Sequence, residues 1–215
     1  ISRFMRLIRE ERDPGVVDYQ NLYRFSIESP RAFWRAIWEY FELGDGTPVK
    51  TVLAERKMSG AVWFPGIMVN FAGEVLKQAE KAPEKTAIIV QSETFGRSEL
   101  TWSELRAQVA SVASHLRGMG VGQGDRVVAI LPNTDTALVA FLATASLGAI
   151  WSLCAPDMGH VAILDRFAQI APKVLIAQDG YVHAGKTIDR SEVVRGIVAG
   201  LPTLAQVVMV PVLGD

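Results

Sequence analysis

The sequence predicts an α/β fold: a doubly wound, mostly parallel sheet with flanking helices, preceded by a helical N-terminal extension. In the segment Leu100–Lys186, short β-branched runs alternate with helical segments at regular intervals, which is typical of parallel strands joined by crossover helices. The run Ala149–Cys154 is almost entirely apolar, as in a strand that is buried on both faces. We assign the extension to residues 1–45 and the first part of a large α/β domain to residues 46–215.

In the extension, Ser29 and Pro30 predict the start of a helix, with serine as its cap and proline at its first position. Gly44 is expected to end this helix and to begin a linker that extends to Pro48. Three apolar residues recur between these limits at intervals of four: Phe33, Ile37 and Phe41.

Beyond the linker, Asn70 is expected to cap a helix that continues to Ala82. Two strands follow, Thr86–Gln91 and Ser98–Trp102, with a polar loop at Ser92–Arg97 between them. Thr101 and Glu104 fit a capping box at the start of the next helix. The remaining predicted elements alternate strictly: strand Arg126–Leu131, helix Thr134–Leu147, strand Ala149–Cys154, helix Val161–Ile170, strand Lys173–Ala177, a helix from about Asp189 to Gly200, and strand Gln206–Val210.

Composition excludes several classes of partner. The net charge is −1, and the sequence does not cluster its cations. We therefore expect neither nucleic acid nor an acidic membrane as a partner. The uncharged run Thr136–Pro156 is long enough to span a bilayer, but Gly148 divides it into a helical half and a strand-like half. A single cysteine, Cys154, favours a reducing, cytoplasmic setting and a buried thiol.

Read alone, the residues contain no complete catalytic motif. The glycines from Gly118 to Gly124 follow a helix and precede a strand, the reverse of the order that a dinucleotide site requires. The three histidines lack metal-ligand spacing, so no metal site is expected. The loop Gln178–Lys186 follows a parallel strand and combines a flexible glycine, Gly185, with the cation of Lys186. It is either a ligand-binding loop or a solvated loop with an exposed lysine.

Several segments together resemble the acyl-adenylate-forming enzymes, in their acetyl-CoA synthetase branch and among the acetoacetate–CoA ligases. The resemblance extends over nearly the whole chain and depends on the order and spacing of these segments: Trp63–Gly66, Asn70–Ala72, Leu100–Leu105, Gly120–Asn133, Gly148–Ser152, Ser152–Asp157 and Leu164–Ile170. It implies a ligase of fatty acid and lipid metabolism that uses ATP and Mg to form an acyl-AMP and then transfers the acyl group to coenzyme A.

In that family, the phosphate-binding loop and the catalytic lysine come later in the chain. The resemblance therefore implies roughly the first third of the enzyme, with no catalytic residue of its own and no activity alone. The chain lacks an initiator Met and stops directly after an apolar run, so we expect native sequence on both sides.

The resemblance also implies coenzyme A contacts at His183, Ala184, Gly185 and Lys186. Lys186 keeps one of two cations that flank Ala-Gly in this branch, whereas His183 stands where arginine is usual. A Gly-Gly pair of the same branch is replaced by Pro156-Asp157, which departs from the family pattern beside the thiol path.

Two alternatives remain open from the sequence. The acid could be acetate or propionate rather than acetoacetate, because the acid pocket is expected downstream. The chain could also be a non-catalytic α/β module that binds a partner. If it is a fragment, we expect an exposed apolar face and self-association through it.

Overall fold

Aromatic residues at helical spacing form the core of the first 69 residues. The structure is a computed structural model that describes residues 1–93 and 96–214. Ile1–Val69, here called the N-terminal unit, contains α1 (Ser2–Glu11), α2 (Tyr19–Glu28), α3 (Pro30–Tyr40), β1 (Leu53–Glu55) and β2 (Val62–Trp63), the two strands being antiparallel. Phe4 packs edge-to-face on Phe33 and Tyr40, with ring centroids 5.9 and 5.2 Å apart. This extension therefore has a core of its own.

The ends of α3 differ in part from the prediction. Ser29 occupies the N-cap position and Pro30 the first turn, as predicted, but the Ser29 side chain makes no capping hydrogen bond within the described residues. The helix ends at Tyr40 rather than near Gly44. Gly44 has φ +84°, and a Cβ there would lie 2.8 Å from Trp38, so the close approach of this indole requires glycine.

Residues Asn70–Asp215 form a second compact unit, here called the sheet unit. It begins with α4 (Phe71–Leu76), α5 (Gln78–Lys81), β3 (Thr86–Ser92), β4 (Gly96–Thr101) and α6 (Trp102–Gly118). Asn70 caps α4 by accepting from the Gly73 amide at 2.9 Å, as predicted. The single helix expected up to Ala82 is instead two, because the Glu80 amide bonds to the Lys77 carbonyl three residues back and tightens the turn.

The predicted strands on either side of the loop Ser92–Arg97 form an antiparallel hairpin, β3 with β4. Both strands reach further into that loop than expected, and its residues 94 and 95 lie outside the described residues. The capping box at the start of α6 is confirmed. The Glu104 amide donates to the Thr101 hydroxyl at 3.2 Å, and the Thr101 amide donates to the Glu104 carboxylate at 2.8 Å.

The remaining elements form a four-stranded parallel sheet with its helices and a separate antiparallel pair of strands. They are β5 (Arg126–Ile130), α7 (Asp135–Ser146), β6 (Ile150–Cys154), α8 (His160–Ala168), β7 (Val174–Gln178), β8 (Gly180–His183), β9 (Lys186–Asp189), α9 (Ser191–Gly200) and β10 (Gln206–Val210). The strand order is β10–β7–β5–β6, with every pair parallel. All five residues of β7 are buried, as expected for a central strand covered on both faces.

Helices cover both faces of this sheet. Alternate residues of β5 and β7, such as Val127 and Ile176, pack with α6 and α7 on one face. The residues between them, such as Val128 and Leu175, pack with α8 and α9 on the other. The predicted doubly wound α/β fold with a helical N-terminal extension is confirmed.

The division into units does not coincide with the predicted domains. The N-terminal unit includes residues 46–69 as well as the predicted extension, residues 1–45. Where the domains of the complete protein divide stays a prediction. Among residues 1–93 and 96–214, no helix combines the length and the apolar character needed to cross a bilayer.

The glycine-rich segment before β5 forms a turn that is tied to the sheet. Gly120 and Gly124 have φ +78° and +79°, conformations that favour glycine. The Asp125 carboxylate accepts from the Gly122 amide and from Lys173 Nζ, each at 2.9 Å, and Lys173 Nζ also donates to the Gly120 carbonyl at 2.6 Å. The segment therefore closes the amino edge of the sheet.

Candidate functional site

A cleft of about 340 Å³ opens at the carboxyl edge of the parallel sheet. The connection after β5 covers one face of the sheet through α7, whereas α9, which follows β7, covers the other. A crevice forms where neighbouring connections diverge in this way, and open α/β sheets bind their ligands there. The cleft thus lies at the position that the strand order alone favours for a ligand.

Three strand ends supply most of its lining. These are the residues that follow β5, those that follow β6, and the end of β7 with the strand β8 after it: Pro132, Asn133, Thr134, Ala155, Pro156, Asp157, Gln178, Tyr181, Val182 and His183. Ser92 and Val212 complete the lining. Pro156 and Asp157, which stand where the resemblance implies a Gly-Gly pair, therefore lie at the cleft.

Among the residues that the structure describes, two polar atoms in this lining are buried without a hydrogen-bond partner. They are Thr134 Oγ1, at the N-cap position of α7, and Gln178 Oε1, at the end of β7. The side chain of Thr134 makes no capping bond, and Gln178 is only 3% exposed. Because buried polar groups are almost always paired, these two atoms are suited to contact a ligand amide or hydroxyl.

The segment predicted as a loop, Gln178–Lys186, is instead largely a β-hairpin of β8 and β9. His183 pairs with Lys186, and Ala184 and Gly185 form the two-residue turn between them with φ +50° and +72°. Positive φ at both turn residues matches the twist of a hairpin, so local backbone geometry explains why the segment is not open.

Only one of the four predicted contact residues lines the cleft. His183 does so, while Ala184, Gly185 and Lys186 lie on the exposed turn beyond it. Among the residues that the structure describes, Lys186 has no ion-pair partner. The Gly185 amide donates to the Glu93 carboxylate at 3.3 Å, so this donor is already engaged.

The two strands of the hairpin approach each other closely at Gly180, next to the end of β7. A Cβ on Gly180 would lie 2.4 Å from the Ile188 carbonyl oxygen, which only glycine avoids. The Asp179 carboxylate accepts from the Val212 amide at 2.9 Å and holds the segment after β10 against the cleft. These contacts place the hairpin and the segment after β10 at the rim of the cleft.

Two further features of the sequence are the single cysteine and the possible metal ligands. Cys154 ends β6 and is 3% exposed, and burial raises the pKa of its thiol, which suits the predicted buried role. No group of three or more His, Cys, Asp or Glu side chains that could hold a metal ion occurs within the described part of the chain.

The family follows from comparison with known proteins. The profile of the AMP-binding enzyme family matches residues 75–214, and that of the acetyl-coenzyme A synthetase N-terminus matches residues 19–75. The chain belongs to the AMP-binding enzyme family.

Several proteins that are similar to this chain are acetoacetyl-CoA synthetases. One from Rhizobium meliloti (strain 1021) is 40% identical over 215 residues, which are 100% of this chain and 32% of that protein. One from Macaca fascicularis is 39% identical over 98% of this chain and 32% of its own length. The solved acetoacetyl-CoA synthetase from Streptomyces lividans superposes with a TM-score of 0.93 at 42% identity, covering 100% of this chain and 33% of that structure. The chain thus spans about a third of the length of these relatives.

Sequence reasoning missed Thr134 as a candidate ligand contact and included Gln178 only as the first residue of the loop Gln178–Lys186. Gln178 ends the buried strand β7, and Thr134 lies in the connection after the buried strand β5, at the edge where parallel sheets bind ligands. That position was a usable signal. Their lack of partners depends on tertiary packing and could not be predicted from the sequence.

Proposed function

We propose that this chain is the N-terminal portion of an ATP-dependent acetoacetate–CoA ligase, and that its carboxyl-edge cleft and hairpin turn receive coenzyme A. Similarity to acetoacetyl-CoA synthetases along the entire chain carries this proposal. The complete protein would use Mg and ATP to activate the acid as an acyl-AMP and then transfer the acyl group to the thiol of coenzyme A.

The geometry of the sheet unit supports the coenzyme A part of the proposal. Lys186 is an exposed cation directly after the hairpin turn, which suits a phosphate of the nucleotide. The cleft behind the turn offers His183, Thr134 and Gln178 to a polar chain that enters it. Glu93 opposes this role, because its carboxylate lies beside the turn and repels an anion.

The test is steady-state kinetics of Lys186→Ala in the complete protein that contains this chain. Loss of an exposed cation beside a phosphate is expected to raise the KM for coenzyme A about fivefold, with kcat and the KM for ATP little changed. Glu93→Gln is expected to lower the KM for coenzyme A. An unchanged KM in both variants would return the turn to a purely structural role.

Lys85→Ala is the matched control. Lys85 is an exposed lysine of the same unit, but it precedes β3, whereas Ser92 at the far end of that strand lines the cleft. Its removal changes net charge by the same amount and is expected to leave the KM for coenzyme A unchanged. If both lysine variants respond equally, general charge rather than a site explains the effect.

The alternative substrate is acetate or propionate in place of acetoacetate. The match to the acetyl-coenzyme A synthetase N-terminus supports this alternative. Competition between acetoacetate, acetate and propionate in the complete protein, scored as kcat/KM, separates these substrates. Pyrophosphate exchange that is absent with all three acids would support the non-catalytic module. Self-association through an apolar face, lined in part by Val112, Val139 and Val208, stays a prediction.

A further inference from the structure

The N-terminal unit contains a second groove, of about 330 Å³, which is rich in cations. It lies between α3 and the segment that leads into β1. Four of its lining residues are basic: Arg12, Arg31, Arg35 and Lys50. Since the whole chain carries a net charge of −1, this concentration of positive charge is local.

Backbone carbonyls orient two of the guanidinium groups. Arg31 Nε donates to the Leu53 carbonyl at 3.1 Å, and Arg35 Nη2 donates to the Val49 carbonyl at 3.2 Å. The two arginines lie one turn apart on α3 and hold residues 49–53 against it. Each guanidinium has five N–H donors, so each keeps donors beyond the one that holds the backbone.

One carboxylate, that of Glu39, balances part of this charge. It pairs with Arg12 and lies 4.0 Å from Arg35 Nη1. Within the described residues, neither Arg31 nor Lys50 has an ion-pair partner. The side chains of Arg12 and Arg35 are 29% and 34% exposed, so water screens their charges only in part. The hydrogen bonds to backbone carbonyls account for the positions of Arg31 Nε and Arg35 Nη2. They do not account for the presence of Lys50 beside three arginines in one groove.

We propose that this groove binds a phosphate-type oxyanion, inorganic phosphate or pyrophosphate. Guanidinium groups fixed by carbonyls present preorganised N–H donors to tetrahedral oxyanions, and Lys50 adds a point charge at the rim. The Thr51 hydroxyl, also in the lining, supplies a neutral donor. The site lies within residues 12–52 and does not depend on the proposed ligase activity.

The test is residue-resolved acetylation of lysines in the complete protein, measured by mass spectrometry with and without pyrophosphate at constant ionic strength. Pyrophosphate, on the order of 10 mM for a weak site, is expected to slow acetylation of Lys50 about fivefold. Lys57, an exposed lysine of the same unit paired with Glu55, is the internal control and is expected to react at an unchanged rate. Inorganic phosphate in a parallel arm distinguishes a single phosphate group from a diphosphate.

Arg31→Lys keeps the charge but removes the planar fork, and is expected to abolish the protection of Lys50. This comparison requires that the melting temperature of Arg31→Lys lies within a few degrees of the wild-type value. If the melting temperature falls further, Arg12→Lys is used in place of Arg31→Lys. Equal protection of Lys50 and Lys57, protection by chloride alone, or no protection by either phosphate probe would overturn the proposal.

Discussion

The two edges of the parallel sheet differ in how their polar groups are satisfied. At the amino edge, Arg126 donates to the carbonyls of Ile170 and Ala171 at 2.7 and 2.6 Å, and Lys173 joins the glycine-rich turn to Asp125. At the carboxyl edge, Thr134 and Gln178 keep buried oxygens that have no partner in residues 1–93 and 96–214. The same strands therefore end in a closed hydrogen-bond network on one side and in an open cleft on the other.

This difference separates stability from binding within one sheet. Paired buried groups stabilise the fold, whereas unpaired buried groups cost free energy in the absence of a ligand. We therefore expect substitutions at the amino edge to change the free energy of unfolding and leave binding alone. Substitutions at the carboxyl edge are expected to do the reverse.

The largest expected effect is that of Arg126→Met, which breaks the amino edge. It leaves the half-buried carbonyls of Ile170 and Ala171 without their charged donor, and is expected to lower the free energy of unfolding by about 2–3 kcal/mol. Urea unfolding monitored by tryptophan fluorescence measures the loss. Arg117→Met, at an exposed arginine of α6, is the control and should change stability by less than about 0.5 kcal/mol. A shift in the KM for coenzyme A without loss of stability would contradict the division.

A smaller loss is expected from Asp125→Asn, and it depends on pH. The hydrogen bond from Lys173, followed by that from the Gly122 amide, lowers the pKa of the Asp125 carboxyl below its usual value. The stabilisation is therefore complete above the pKa of the unfolded carboxyl, near 3.9, and is lost as the pH falls through the lowered native pKa.

The measurement is the difference in unfolding free energy between the original protein and Asp125→Asn from pH 7 to pH 2.5. It should be constant above about pH 5 and shrink below about pH 4. A difference that stays constant down to the lowest pH would show that the ionised carboxylate does not stabilise this edge.

The smallest effect on stability is expected from Gln178→Leu, which tests whether the carboxyl edge of the sheet contributes to binding rather than to stability. Removing a buried oxygen without a partner is expected to leave the free energy of unfolding unchanged or to raise it by up to about 1 kcal/mol. If coenzyme A binds in the cleft as proposed, the same substitution is expected to raise the KM for coenzyme A in the complete protein. Thermal unfolding and kinetics on the same preparations check both, and a marked loss of stability would show that Gln178 is a structural residue.

The sequence predicted those parts of the fold that repeat a pattern. Alternation of β-branched and helical segments located β5, β6, β7 and β10, and the Thr101–Glu104 capping box located the start of α6. Strand order could not be predicted, because the pairing of β7 with β5 depends on which crossover covers which face. Strands β1 and β2 were missed because three- and two-residue strands show no periodicity.

The candidate site was predictable only in part. Resemblance to a family pointed to His183–Lys186, but not to the hairpin that holds it, because Ala-Gly is a weaker turn signal than Asn-Gly. In that turn Ala184 adopts φ +50° without the help of an asparagine side chain. The unpaired oxygens of Thr134 and Gln178 arise from packing between distant segments, which no local pattern encodes.

The strand order also constrains how the molecule assembles. Because β7 pairs with β5 rather than with β6, the central pair joins strands separated by the whole α7–β6–α8 excursion. Closing so long a segment costs chain entropy before any central contact is made, which slows folding. On the ribosome, β5 can pair with β6 early, yet its other edge stays open until Gln178 has emerged. Synthesis of this chain therefore includes an interval in which the central strand β5 exposes a row of free amides and carbonyls, the period when a nascent molecule is most exposed to aggregation.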